Sequence, residues 1–126
     1  MTRTIELVEK GIIKIVWDGV VNRENYTQGI TDRIVFADAQ QLERYVLIFD
    51  LRKAHITVFD FRLAAWSANA DPRMTHTVII SNSTLVTVTV NTMLRMTKTQ
   101  VALVNSEAQA LARARQIVAG WEAAQS

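Results

Sequence analysis

The sequence predicts a single α/β domain, residues 1–126, in which helices pack on a mostly parallel sheet. Three observations predict this class. Two short segments of alternating hydrophobicity lie on either side of Lys10-Gly11, as in an antiparallel hairpin. Short continuous apolar runs follow, which are typical of strands covered on both faces. Segments with apolar residues at helical spacing separate those runs, so the predicted order is β-β-α-β-α-β-α-β-α, with right-handed crossovers.

The first helix is predicted to begin at Asn22, a residue type that caps helices. Gly29 lies inside it, where glycine costs about 1 kcal/mol relative to alanine. The helix is still predicted because four residues recur at helical spacing: Tyr26, Ile30, Ile34 and Ala37. The apolar run at residues 45–50 then predicts a central strand.

A second helix is predicted over residues 57–68, because Thr57 and Asp60 form a start that resembles a capping box. Asp71-Pro72 ends it, and residues 77–80 form the next apolar strand. Residues 85–90 alternate like a strand and are rich in β-branched side chains, but apolar positions also recur at helical spacing. We expect a helix over residues 84–97, because parallel strands need a crossover between them.

Residues 100–104 predict the last strand. Ser106-Glu-Ala-Gln109 is a capping box for a final amphipathic helix. The residues predicted to face inward from this helix are Ala108, Leu111, Ala114, Val118 and Trp121.

Composition excludes several classes of function. The chain has no cysteine, and His55 and His76 lack zinc-ligand spacing, so neither a metal nor a cofactor is predicted. No apolar run approaches the roughly 20 residues of a membrane helix, and the N-terminus lacks an apolar signal segment, which predicts a cytoplasmic protein without membrane insertion. The net charge is only +2, so nucleic acid is not a predicted partner.

The run Val46-Leu-Ile-Phe-Asp50-Leu-Arg resembles the strand and aspartate that carry the regulatory site of STAS domains, the fold of bacterial anti-sigma-factor antagonists and of the cytoplasmic tails of sulfate transporters. The run Ser106-Glu-Ala-Gln-Ala-Leu-Ala112 is similar to the last helix of the SpoIIAA-like branch. The resemblance covers nearly the whole chain. It implies a bacterial-type regulatory domain that binds protein and is not an enzyme.

Signalling STAS domains carry a phosphorylatable serine shortly after that aspartate. Here Arg52 and Phe61 stand where the serine is expected, so the resemblance implies that the phosphorylation switch is lost. Thr57 is the remaining hydroxyl, and we interpret it as a helix cap rather than a phosphosite.

One candidate surface for a partner or ligand emerges. Its residues are Asp50, Arg52, Lys53, His55, Thr57, Asp60 and Phe61. Arg52, Lys53 and His55 are expected in a loop before the helix at residues 57–68, where either an anionic group docks or the loop is simply solvated. Asp50 is either a catalytic carboxylate or an acceptor for nearby amides.

The helix at residues 57–68 is apolar on two sides. Phe59, Leu63 and Trp66 share one face, whereas Phe61 and three alanines share the other. One face covers the sheet, and the second either packs on the following helix or meets a partner, which suggests a homodimer.

Three functions therefore stay open. The first is a protein-interaction domain that works through the helix at residues 57–68 and the loop before it. The second is a carrier that holds a lipid or a small apolar or anionic ligand between sheet and helices. The third and weakest is a small enzyme that uses Asp50, His55 or Asp60, although the chain has neither a glycine-rich phosphate loop nor a Gly-x-Ser-x-Gly motif.

Overall fold

The computed structural model describes residues 2–56, 66–67, 70–96 and 100–125. Within these ranges the chain forms five strands and three helices, and Trp66 and Ser67 are also helical. In chain order these elements are β1 (Thr2–Glu9), β2 (Ile12–Val21), α1 (Arg23–Ala39), β3 (Tyr45–Ile56), β4 (Met74–Ile80), α2 (Thr84–Met96), β5 (Val101–Val104) and α3 (Glu107–Gln125).

The five strands form one sheet in the order β1-β2-β3-β4-β5. The pair β1-β2 is antiparallel and the other three pairs are parallel, so the predicted hairpin and mostly parallel sheet are confirmed. Gly11 completes the hairpin turn with a φ of 83°, a conformation that glycine adopts without a steric penalty.

The helices cover both faces of the sheet. The connections from β2 to β3 and from β4 to β5 progress in the same direction, so right-handed crossovers place α1 and α2 on the same face. Ala37 of α1 and Val86 of α2 accordingly belong to one core cluster with Leu47. The last helix, α3, covers the opposite face, where Ala110 and Ala114 pack in a second cluster.

Residues 84–96 are helical despite their β-branched composition, which confirms the predicted helix. Three threonine hydroxyls in this helix donate to the carbonyl four residues earlier, at 2.7–3.0 Å: those of Thr87, Thr89 and Thr92. These bonds satisfy the hydroxyls inside the helix, so the threonines do not compete with the backbone ladder.

Gly29 allows α1 to lie close to the sheet. A Cβ at this position would lie 2.4 Å from Cη2 of Trp17, which is only 1 % exposed. Trp17 also contacts Tyr26 and Phe49, with ring centroids 6.0 and 5.5 Å away. The cost of glycine in the helix is therefore offset by the packing of a buried tryptophan.

The helix caps predicted at Asn22 and Ser106 are confirmed, and the cap predicted at Thr57 lies outside the described residues. Asn22 Oδ1 accepts the backbone N–H of Asn25 at 2.8 Å, and Ser106 Oγ accepts that of Gln109 at 3.2 Å. The expectation that Ala108 faces inward is wrong: Ala108 is exposed and Ala110 is buried instead, because the face of α3 toward the sheet begins one half-turn later.

The predicted loop before residue 57 is also wrong. Arg52, Lys53 and His55 belong to β3, which continues to Ile56 because β2 supplies a partner strand as far as Val21. The pairing shifts register between Val16 and Asp18, and then continues. The predicted helix at residues 57–68 lies outside the described residues except at Trp66 and Ser67, so neither of its two apolar faces is tested.

Candidate functional site

Asp50 lies in β3 and is 4 % exposed. Its Oδ1 accepts the backbone N–H of Arg52 at 3.1 Å and Nε of the same arginine at 3.0 Å, while Oδ2 accepts Nη2 at 2.7 Å. Of the two interpretations of Asp50, the structure bears out that of an acceptor for a nearby amide. Asp50 also forms an ion pair with the side chain of Arg52. The amide lies in the strand and not in a loop.

Further charges surround this pair. Lys14 of β2 is buried and forms an ion pair with Glu107, the first residue of α3. Glu6 of β1 lies 3.9 Å from Lys14 Nζ, and Arg52 Nη2 lies 3.7 Å from Glu107 Oε2. We call these five residues, namely Glu6, Lys14, Asp50, Arg52 and Glu107, the charge cluster.

The charge cluster favours the charged forms of Asp50, Arg52 and Glu107. Burial acts to raise the pKa of Asp50, but hydrogen bonds from Arg52 and the charges of Arg52 and Lys14 outweigh it, so this pKa lies below its usual value. The hydrogen bond and charge of Lys14 lower the pKa of Glu107, and the hydrogen bond to Asp50 raises the pKa of Arg52. A carboxylate that transfers protons near neutrality needs a raised pKa, so these shifts do not favour Asp50 as a general acid or base.

Lys53 and His55 have a different environment. Their neighbours Ala54 and Ile56 pack in the core cluster on the α1 face, so alternation along the strand directs Lys53 and His55 to the opposite face, where both are exposed. Their partners on β2 are Asp18 and Val20, and these are exposed too. We call these four residues the open ribbon.

The structure therefore divides the candidate surface. Asp50 and Arg52 belong to the charge cluster, and Lys53 and His55 belong to the adjacent open ribbon. Thr57, Asp60 and Phe61 lie outside the described residues.

Sequence reasoning misses Lys14, Glu6 and Glu107. Lys14 carries a usable signal, because it interrupts the apolar run Ile12-Ile-Lys-Ile15. A cation at such a buried position requires an anionic partner. The sequence does not say which carboxylate this is, since Glu107 lies 93 residues away.

A second Asp-x-Arg unit repeats the geometry of Asp50 and Arg52. Asp71 Oδ1 accepts the backbone N–H of Arg73 at 3.0 Å and its Nε at 2.9 Å, and Oδ2 accepts Nη2 at 2.9 Å. Asp71 also accepts the hydroxyl of Tyr45 at 2.8 Å, and Arg73 reaches Asp38 of α1 at 2.7 Å. Through the contact between Arg73 and Asp38, this second unit links α1 to the start of β4. The Asp-x-Arg arrangement therefore has a structural role at this second position.

No group of three or more His, Cys, Asp or Glu side chains in the described residues is placed to hold a metal ion. None of the helices in the described part of the chain combines the length and hydropathy that crossing a membrane requires.

The sheet order, its single antiparallel pair and the helices on both faces define a SpoIIAA-like α/β fold. The structure is similar to that of the anti-sigma factor antagonist SpoIIAA in its unphosphorylated form, with a TM-score of 0.59 and 16 % sequence identity over 90 % of this chain and 98 % of that chain. It is also similar to an uncharacterized protein of the DUF3478 family with a SpoIIAA-like fold from Shewanella loihica PV-4, with a TM-score of 0.57 and 18 % identity over 90 % of this chain and 92 % of that chain.

No protein-family model matches the sequence, and no curated protein matches it significantly. The two structural likenesses confirm the predicted fold. Because the sequence identities are only 16 % and 18 %, these likenesses show the fold and not the function.

Proposed function

We propose that this chain is a non-enzymatic regulatory domain of STAS type that acts by binding another protein or a second copy of itself. The observation that carries the proposal is the likeness to SpoIIAA, which extends over nearly the whole of both chains. SpoIIAA is an anti-sigma factor antagonist, so a fold of this size is sufficient for a regulatory role of this kind.

The charge cluster supports a role without phosphorylation. The resemblance to signalling STAS domains places Arg52 where a phosphorylatable serine is expected, and its guanidinium is bonded to Asp50 and lies near Glu107. The resemblance thus implies an ion pair where signalling STAS domains carry the serine. We propose that partner binding by this chain does not respond to a kinase at this position.

The proposed contact surface combines the open ribbon with residues 57–68. Lys53 and His55 are exposed beside Val20, which is 51 % exposed, so basic groups flank an apolar side chain. Surfaces that combine an apolar residue with charged groups suit protein partners, since burial supplies affinity and charge supplies specificity. Thr57, Asp60 and Phe61, the other residues of the candidate surface, follow His55 in the sequence.

Charge reversal at the open ribbon tests the proposal. We expect Lys53→Glu with His55→Glu to weaken binding of a co-purifying protein at least about tenfold, because the first change reverses a charge and the second adds a negative one to the contact surface. Lys10→Glu is the matched control, because Lys10 is exposed at the hairpin turn, at the other end of β2. The partner is first identified by affinity purification and its dissociation constant is then measured by calorimetry.

Equal affinity of the double variant and of Lys10→Glu would exclude the open ribbon as the contact surface. If neither another protein nor a second copy bound the purified chain, the proposed function itself would be wrong. Circular dichroism checks that each variant is folded.

A further inference from the structure

A cavity of about 800 Å³ lies where β4 and β5 end, away from the charge cluster and the open ribbon. It reaches Thr87 on α2 and Gln116 on α3, which lie on opposite faces of the sheet. The cavity therefore passes around β5. Its volume is within the range of sites that hold small molecules.

The chain path explains why a cavity forms here. The strand β4 continues into α2 on one face, and β5 continues into α3 on the other. The two helices diverge from neighbouring strand ends and leave a crevice between them. In open α/β sheets, ligands bind in crevices of this kind outside the carboxyl ends of the strands.

The lining combines polar side chains with three apolar residues, Leu103, Val104 and Ala112, and contains no carboxylate. Side-chain amides come from Asn82, Asn105, Gln109 and Gln116, and hydroxyls come from Ser81, Thr84 and Thr87. Amides and hydroxyls donate as well as accept hydrogen bonds, so they suit an oxygen-rich ligand.

Arg113 supplies the positive charge of the cavity. It has no carboxylate partner among the described residues, whereas Arg115, two positions later, pairs with Glu9 at 2.8 Å. The charge of Arg113 also reaches His76: partial burial and this neighbouring cation together lower the pKa of the imidazole. Arg113 is thus the one charged side chain among the lining residues.

We propose that this cavity binds a small polar ligand through an oxyanion group, with Arg113 as the charged contact and the side-chain amides of Asn82, Gln109 and Gln116 as hydrogen-bond donors. The site is independent of the proposed protein-binding surface. If the protein is a carrier of a small ligand, this proposal places the ligand in the crevice between α2 and α3.

The test is a ¹H–¹⁵N NMR titration with inorganic phosphate at constant ionic strength. We expect saturable shifts of the side-chain amides that line the cavity and of Arg113 Nε. In Arg113→Gln the dissociation constant rises at least about tenfold, because a charge-assisted hydrogen bond is lost. Arg115→Gln is the matched control, because this exposed arginine lies outside the cavity lining. Its dissociation constant is expected to stay that of the unmodified protein.

Two results would overturn the site. One is the absence of saturation in the millimolar range with phosphate and with acetate alike, which would mean that no oxyanion is held. The other is an equal dissociation constant in Arg113→Gln and in the unmodified protein. A parallel titration with acetate separates carboxylate from phosphate recognition: if acetate binds and phosphate does not, the oxyanion is a carboxylate, and if neither binds, the proposal is wrong.

Discussion

Asp50 illustrates how far a short stretch of sequence determines a site. Asp50 and Arg52 are two residues apart, so their grouping on one surface is predictable from the sequence, and the structure joins them directly. Lys14 and Glu107 complete the arrangement from distant parts of the chain, and only the folded sheet brings them together. Local chemistry is therefore predictable, whereas the long-range partners depend on strand order and helix position.

Replacing Asp50 tests the charge cluster. We expect Asp50→Asn to lower the free energy of unfolding by about 1–3 kcal/mol at pH 7, because the Arg52 guanidinium loses its buried anionic acceptor. The measurement is urea unfolding. Asp18→Asn, at an exposed position of the open ribbon, is the control and should change stability by less than about 0.5 kcal/mol.

The same variant has a defined pH dependence. The folded pKa of Asp50 lies below its ordinary value of 3.8, so its contribution is fully present above that pH and is lost as the pH falls through the lower folded value. Between pH 5 and pH 2, the unmodified protein should therefore lose more unfolding free energy than Asp50→Asn. Parallel stability curves over this range would show that the pairing of Asp50 contributes nothing.

At the scale of single elements, the period and order of helices and strands are predictable, but the lengths are not. The end of β3 is the clearest case: Arg52, Lys53 and His55 read as a polar loop, yet β2 extends alongside and pairs with them. Strand length is set by the partner strand, which local composition does not specify. The helix at residues 84–96 shows the opposite outcome, because topology there outweighs β-branched composition.

Two helical glycines make a matched pair. Gly29→Ala should destabilise the protein by about 1–3 kcal/mol despite the better helix propensity of alanine, because its Cβ would overlap Trp17. Gly120→Ala in α3 should stabilise it by about 0.5–1 kcal/mol, because no atom lies within 4 Å of the new Cβ. Thermal and urea unfolding measure both. If Gly29→Ala were as stabilising as Gly120→Ala, the close approach of α1 to Trp17 would be disproved.

At the scale of the whole molecule, the fold is predictable because hairpin, alternation and final amphipathic helix all indicate one topology. Function is less predictable, because one fold serves several functions and the sequence contains no catalytic constellation. The cavity beside β5 shows this limit: its lining residues come from two distant stretches of the chain, 81–87 and 103–116, and nothing in either stretch marks them as a ligand site.

Native mass spectrometry separates the proposed roles of the intact protein. We expect a homodimer, and we expect Phe61→Asp to shift it to monomer while circular dichroism stays unchanged. Phe61→Tyr is the control, since it keeps the ring and should keep the dimer. A monomer that carries a small bound molecule would instead favour the carrier role, and a bare monomer would rule out self-association.

The position of α3 also affects how the chain is made. Glu107 follows Lys14 by 93 residues, and α3 covers the sheet face that includes Ile12, Val46 and Ile48. A nascent chain that has reached β5 still exposes that apolar face and leaves the ammonium of Lys14 without this carboxylate. We therefore expect the sheet to reach its native form only once α3 has been synthesised and has packed on this face.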